Sequence, residues 1–286
     1  MESHLKPWML WSAALGALGF GALALTHSSE VNASTRPMYF PMRLQSAPFP
    51  EEPQPGALVV IPPAFTSRRP FRLCLYFHGW HNAALNVAGD TDSQVSIGGR
   101  VRPASNLIQQ LPADVLLVVA GLRLDVADSS AGQLSRNGGV AAYLDEVLRT
   151  LPDGLAPRRF ADISHLSVMA HSGGYVAAAT AIEQGVPALR SVVLLDALYG
   201  KVSVFSGWAE RGGRIASIYT PSGGTAANSA LLASRLLSRS GVLVDPAVGP
   251  MSLAALASAT AVVKRTSLTH DGITRCYPRE FWSAGW

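Results

Sequence analysis

Residues 166–175 read Leu166-Ser167-Val168-Met169-Ala170-His171-Ser172-Gly173-Gly174-Tyr175, an apolar run that enters a tight, small-residue turn and opens into the alanine-rich segment GYVAAATAIEQ, residues 174–184. An apolar run of this length reads as a buried strand, and the segment after it reads as a helix. A serine held between the two, with small residues two places before and after it, has the form of a nucleophile elbow. That motif is written G-x-S-x-G because strand and helix must pass closely at a strained turn. Here the small positions are Ala170 and Gly174, so the first departs from the motif by one methyl group. The pentapeptide alone is a weak signal; the strand before it and the helix after it supply the context the motif requires.

Further apolar runs flank this element. Residues 57–61 (ALVVI), 71–77 (FRLCLYF), 114–120 (DVLLVVA), 191–195 (SVVLL), 215–220 (IASIYT) and 261–268 (AVVKRTSL) read as strands. The run at 114–120 is nearly continuous in aliphatic residues, as a strand buried on both faces of a parallel sheet should be. Helical patterns lie between them, at 106–110, 139–151, 174–184 and 226–240. Such alternation predicts an α/β chain with a mostly parallel, doubly wound sheet flanked by helices. Ligands in such sheets bind at the carboxyl ends of the strands.

From the elbow, its strand and its helix, the stretch from Ala57 to the C-terminus resembles the α/β-hydrolase superfamily. The resemblance implies the α/β-hydrolase fold and a serine, an acid and a histidine in that chain order. Ser172 is then the nucleophile, and a serine hydroxyl needs an adjacent base to remove its proton. The base is expected on the loop after the last strand, where His270 stands in Thr269-His270-Asp271-Gly272. His4 and His27 lie near the N-terminus, His165 begins the elbow strand, and His171 is expected to point away from the nucleophile on the sharp turn. In most of the family the acid follows the seventh strand, but here that strand ends in Tyr219-Thr220-Pro221-Ser222-Gly223-Gly224, without a carboxylate. Asp196 ends the preceding strand, where some lipases of the fold carry their acid, and it is the leading choice; Asp245 is the reserve. The oxyanion hole is assigned to the backbone N–H groups of Gly173 and of Trp80, the latter in a His78-Gly79-Trp80 turn like the family's His-Gly-X.

Three other groupings carry weaker expectations. His78 and His81 with Asp90 and Asp92 offer a metal-site alternative, although their spacing belongs to a turn with no helix to align the rings. The stretch from Asp125 and Asp128 to Ser129 and Ser130 either lines the pocket or caps turns on a solvated loop. Trp208, Phe281, Trp282 and Trp286 either cover an acyl pocket or pack a core.

Composition narrows the classes. The 286 residues are 48% hydrophobic and 15% charged, too apolar for general disorder. The net charge of +4 is spread along the chain without a run of five or more like charges, which argues against a nucleic-acid binder. Two cysteines are too few for a disulfide scaffold and lack zinc-site spacing. Cys74 and Cys276 could pair in an oxidising compartment, but Cys74 falls mid-strand, where a free cysteine packs as a small hydrophobe. No Gly-rich phosphate loop is written: Gly98-Gly99 and Gly223-Gly224 lack the required neighbours, and no cofactor is expected. Residues 7–25 form an apolar stretch preceded by Lys6, and Val31-Asn32-Ala33 sets small residues where signal peptidase cuts. Residues 1–33 therefore read as a signal peptide, or as an uncleaved anchor attached through residues 8–25, with a Pro-rich extension at 34–56 and one domain at 57–286. The expectation is a periplasmic or secreted serine hydrolase that cleaves a small or polymeric carboxylic ester. A peptidase or amidase of the same chemistry, or a catalytically silent binding module on this fold, is the alternative.

Overall fold

Alternation along the strands decides which layer each side chain enters. The computed structural model describes residues 37–286 except 64, 66–71, 81, 85–94, 98, 99, 103–106, 125, 126, 128, 154, 156–158 and 246–250. The expected signal peptide or anchor (1–33) lies outside the described residues, as do His81, Asp90, Asp92, Asp125 and Asp128. Strands β1 (Met38–Met42), β2 (Ala57–Ile61), β3 (Arg72–Phe77), β4 (Val95–Ile97), β5 (Arg100–Arg102), β6 (Val115–Ala120), β7 (Leu166–His171), β8 (Leu189–Leu195), β9 (Arg214–Tyr219), β10 (Val242–Asp245) and β11 (Ala261–Arg265) follow in chain order. Nine of them form one sheet in the order β1-β2-β6-β3-β7-β8-β9-β11-β10, while β4 and β5 form a separate hairpin. Every pairing from β6 to β10 is parallel, and β2 alone runs against its neighbours.

On β3, Leu73, Leu75 and Phe77 enter one core layer, while Cys74 and Tyr76 enter the other. This is the period of two that a sheet covered on both faces demands. Helix α1 (Leu107–Gln110) precedes β6, and α2 (Gly139–Thr150) buries Val140, Tyr143, Leu144, Val147 and Leu148, an i, i+3, i+4, i+7, i+8 stripe laid on the first layer. Helix α3 (Tyr175–Glu183) presents Ala177, Ala178, Ala179 and Ala181, small enough to lie close on the sheet. Helices α4 (Val202–Glu210), α5 (Ala226–Leu236), α6 (Leu253–Ser258) and α7 (Tyr277–Ser283) complete the chain.

The structure corrects one expectation about organisation and decides between the alternatives in two others. The Pro-rich segment is not merely an extension: Met38–Met42 pairs antiparallel with Ala57–Ile61 and adds an edge strand, which Pro41 tolerates because only one side of that strand is paired. Phe281, Trp282 and Trp286 line no acyl pocket; they are buried in the second core layer. Arg72, first residue of β3, donates to the Trp282 carbonyl at 2.6 Å, and Arg214, first residue of β9, stacks over the Trp286 ring at 4.2 Å. Both arginines stand at amino ends of strands, so these aromatics are held at the edge opposite Ser172. Trp208 likewise packs against the first layer. Cys74 and Cys276 are both free, the first fully buried and the second exposed. The chain passes from β3 to β6 on one side and then to β7 on the other, so β3 and β7 are adjacent where the winding reverses. Their carboxyl ends form the switch-point crevice of such sheets.

Candidate active site

Ser172 follows β7 directly and has φ 52°, a left-handed conformation that a non-glycine residue adopts only under constraint. Such strain stores roughly 1–3 kcal/mol and is held only where the surroundings over-determine it. The packing here does so. A Cβ placed on Gly174 would come within 2.5 Å of the Phe77 carbonyl oxygen, so α3 passes β3 too closely for any side chain. Ala170, fully buried, is paired with Phe77 on β3 and Leu194 on β8, so a methyl group is accommodated where the motif has its first glycine.

The loop after β3 closes over the elbow. A Cβ on Gly79 would sit 2.6 Å from the Ser172 Cβ, and one on Gly173 would sit 2.4 Å from Trp80 Cδ1. The two residues expected to form the oxyanion hole are thus brought together, with the Trp80 indole lying against Gly173 and donating to Ser129 Oγ at 2.7 Å. His78 bolts this loop down. Its Nδ1–H donates to the Gly79 carbonyl at 2.8 Å, and its Nε2 accepts from the Leu122 N–H at 3.1 Å. Both ring nitrogens have protein partners, which speaks against the metal alternative at this residue. Burial holds the His78 pKa down to about 4, so the ring is neutral.

The carboxylate expected as the acid stands at the end of the next strand. Asp196 directly follows β8, has φ 45° and is fully buried. Its Oδ1 accepts from the Thr220 N–H at 3.2 Å and from the Thr225 hydroxyl; its Oδ2 accepts from the Thr220 hydroxyl at 2.7 Å and from His270 Nδ1 at 2.8 Å. Burial alone would raise the carboxyl pKa, but the bonds from His270, Thr225 and Thr220 outweigh it and leave the group below its ordinary value. With Nδ1–H committed to Asp196, the Nε2 of a neutral His270 is the free acceptor. Asp245 is drawn elsewhere. Its register partner across β10 and β11 is Lys264, whose fully buried ammonium it meets at 2.6 Å.

Sequence reasoning missed two neighbours. His171 does not point away: its ring lies 4.6 Å from the His270 ring, and its Nε2–H donates to the His270 carbonyl at 2.9 Å. Tyr199, three residues beyond Asp196, brings its hydroxyl within electrostatic reach of the Ser172 side chain and stands 6.1 Å from the Tyr175 ring. Neither was legible, because residues at a strand end share an edge only once the strand order is known. One His/Asp group among the described residues, His171, His270 and Asp271, places potential metal-ligand atoms within 4.8 Å of one another. There, His270 Nδ1 and His171 Nε2 already serve protein acceptors.

Gly223 decides whether Asp196 can sit where it does, because a Cβ there would lie 2.0 Å from Oδ2 and 2.4 Å from Thr220 Oγ1. Gly223→Ala is expected to displace the carboxylate, disturb its bond to His270 and cost about 1–3 kcal/mol of stability through overpacking. Circular-dichroism melting measures the loss; a wild-type melting temperature in the variant would mean that the space beside Asp196 is immaterial.

No protein-family model and no curated protein matches the sequence. Solved structures do resemble it. The feruloyl esterase module from Clostridium thermocellum complexed with sinapinate aligns at a TM-score of 0.53 and 10% identity over 90% of this chain and 96% of that one. The fluorophosphonate-binding serine hydrolase F of Staphylococcus aureus aligns at 0.51 and 9% identity, covering 87% and 98%. A ferulic acid esterase aligns at 0.50 and 9%, covering 79% and 92%. Likeness at such low identity speaks to architecture, and together with the switch-point elbow and the parallel sheet it establishes that this chain has the α/β-hydrolase fold.

Proposed function

We propose that the chain is an exported serine hydrolase that cleaves a carboxylic ester through an acyl-enzyme. The observation that carries this reading is the pairing of a strained Ser172 at the strand–helix turn with a His270–Asp196 hydrogen bond of 2.8 Å at the same edge of the sheet. Ser172 Oγ attacks the ester carbonyl while its proton passes to His270 Nε2. Asp196 holds the ring in the Nδ1–H tautomer and stabilises the imidazolium that forms. The carbonyl oxygen becomes an oxyanion, received by the N–H groups of Gly173 and Trp80; one such donor is worth on the order of 3 kcal/mol in the transition state. Collapse expels the alcohol, which takes the proton from His270, and water then repeats the sequence to release the acid. The structural neighbours described as feruloyl esterases, and the exposed rings of Trp80 and Tyr199 (45% and 39%) near Ser172, favour esters of aromatic acids as first substrates. Export rests on residues 1–33.

Intact mass of the purified protein before and after a fluorophosphonate tests the nucleophile. One adduct on wild type and none on Ser172→Ala is the expected result. A folded wild type that takes no adduct would withdraw the enzyme reading and favour a binding module on this fold.

A further inference from the structure

The loop that carries His270 is held partly by its own side chains: Leu268 N–H donates to Thr266 Oγ1 at 3.2 Å, and Gly272 N–H to Thr269 Oγ1 at 3.1 Å. Longer-range bonds on this stretch run from the Thr266 N–H to the Tyr219 carbonyl at 2.9 Å, from His270 Nδ1–H to Asp196, and from His171 to the His270 carbonyl. His171 therefore grips His270 twice, by its N–H on the main chain and by its ring face at 4.6 Å and 37° tilt. Because His171 is the residue immediately before Ser172, it ties the base to the elbow itself, and it is 5% exposed.

We infer that His171 is a positioning residue that sets the height and orientation of the His270 imidazole relative to Ser172, a role that rests on reading those two as base and nucleophile. The charged and titratable groups facing it are His270, Asp271 and Asp196. Its pKa is lowered to about 4, first by burial and then by His270, so it is neutral when the enzyme works and does not oppose the imidazolium forming beside it. A permanent cation at this place would do so at close range. Asp196 fixes the tautomer of the base; His171 fixes where the base stands.

The test compares fluorophosphonate labelling in wild type, His171→Phe and His171→Gln. Phenylalanine keeps a ring face but loses the N–H, whereas glutamine keeps an N–H at about the reach of Nε2 and loses the ring. His171→Phe is expected to lower the maximal labelling rate about 10- to 100-fold, the range for misplaced catalytic groups, with the half-saturating probe concentration unchanged. His171→Gln should recover a large part of that loss. Labelling of His171→Phe at the wild-type rate overturns the inference. A nitrogen-15 spectrum of the unaltered protein gives an independent answer should a variant not fold: an exchange-protected Nε2–H on His171 is expected, and an Nδ1–H tautomer or an imidazolium at pH 7 overturns it. Wild type that fails to label brings down the reading of Ser172 instead, and the spectrum still decides whether His171 holds His270.

Discussion

Asp196→Asn is expected to lower kcat on the order of 10⁴-fold while leaving the fold and KM nearly unchanged. The argument is one of hydrogen-bond direction. The side-chain oxygen of asparagine can take over at Oδ1, where the Thr220 N–H and the Thr225 hydroxyl donate. Its amide nitrogen then replaces Oδ2. The Thr220 hydroxyl can turn and accept, but His270 Nδ1 now faces a donor and must accept as well. The imidazole is driven into the Nε2–H tautomer, which cannot take a proton from serine. Turnover of an activated ester, with the melting temperature measured beside it, checks the expectation. A variant that keeps a tenth of wild-type kcat would remove Asp196 from the mechanism and reopen the search for the acid. Asp245→Asn should leave the rate intact, because that carboxylate answers Lys264.

Acid is expected to begin destabilising the protein above the ordinary range of carboxylate titration. His78 and His171 are buried, and each has its pKa lowered from 6.5 to about 4, by burial first. Protonated His78 would also set an Nε2–H against the Leu122 N–H that now donates to it. Between pH 6.5 and 4 the unfolded chain binds more protons at these sites than the folded one, so stability falls as pH falls through that window and is retained in full above it. At about 1.36 kcal/mol per pKa unit, His78 removes roughly 3 kcal/mol by pH 4, and His171 acts in the same direction. That is a large share of the stability of a typical domain, roughly 5–15 kcal/mol. His165, also lowered by burial, acts in the same direction, whereas Glu280, raised by burial, acts in the opposite one. Asp196 lies below its ordinary value of 3.8 and is lost only at still lower pH. Urea midpoints taken from pH 7 to pH 4 should fall steeply below pH 6, and a midpoint constant down to pH 5 would contradict neutral burial of these rings.

Much of the site was legible because each strand carries its chemistry at its carboxyl end. The apolar run 166–170 followed by a small-residue turn could be read locally, since close passage of strand and helix forces small residues at 170 and 174. His270 and Asp196 were singled out only through chain order in a resembling fold, and only the coordinates show that His270 bonds Asp196 while Asp245 meets Lys264. His171 was misjudged because neither the direction of a side chain on a left-handed turn nor the loop that will lie against it is encoded in neighbouring residues. The edge strand Met38–Met42 was hidden by its prolines, and its ladder to β2 depends on pairing that local composition does not reveal.

What the chain determined on its own was the set of elements and their layering. Alternating and continuous apolar runs, amphipathic helices and the elbow follow from periods of two and 3.6, and those are local properties of the backbone. The tertiary structure decided the partnerships: Asp196 with His270, Lys264 with Asp245, His171 with the His270 main chain, Trp80 with Gly173, and the C-terminal aromatics at the amino ends of the strands. These join residues far apart in the chain or on separate strands. They exist because strand order brings particular ends of strands together, and because burial makes an unpaired polar group costly, which favours the pairings the packing allows.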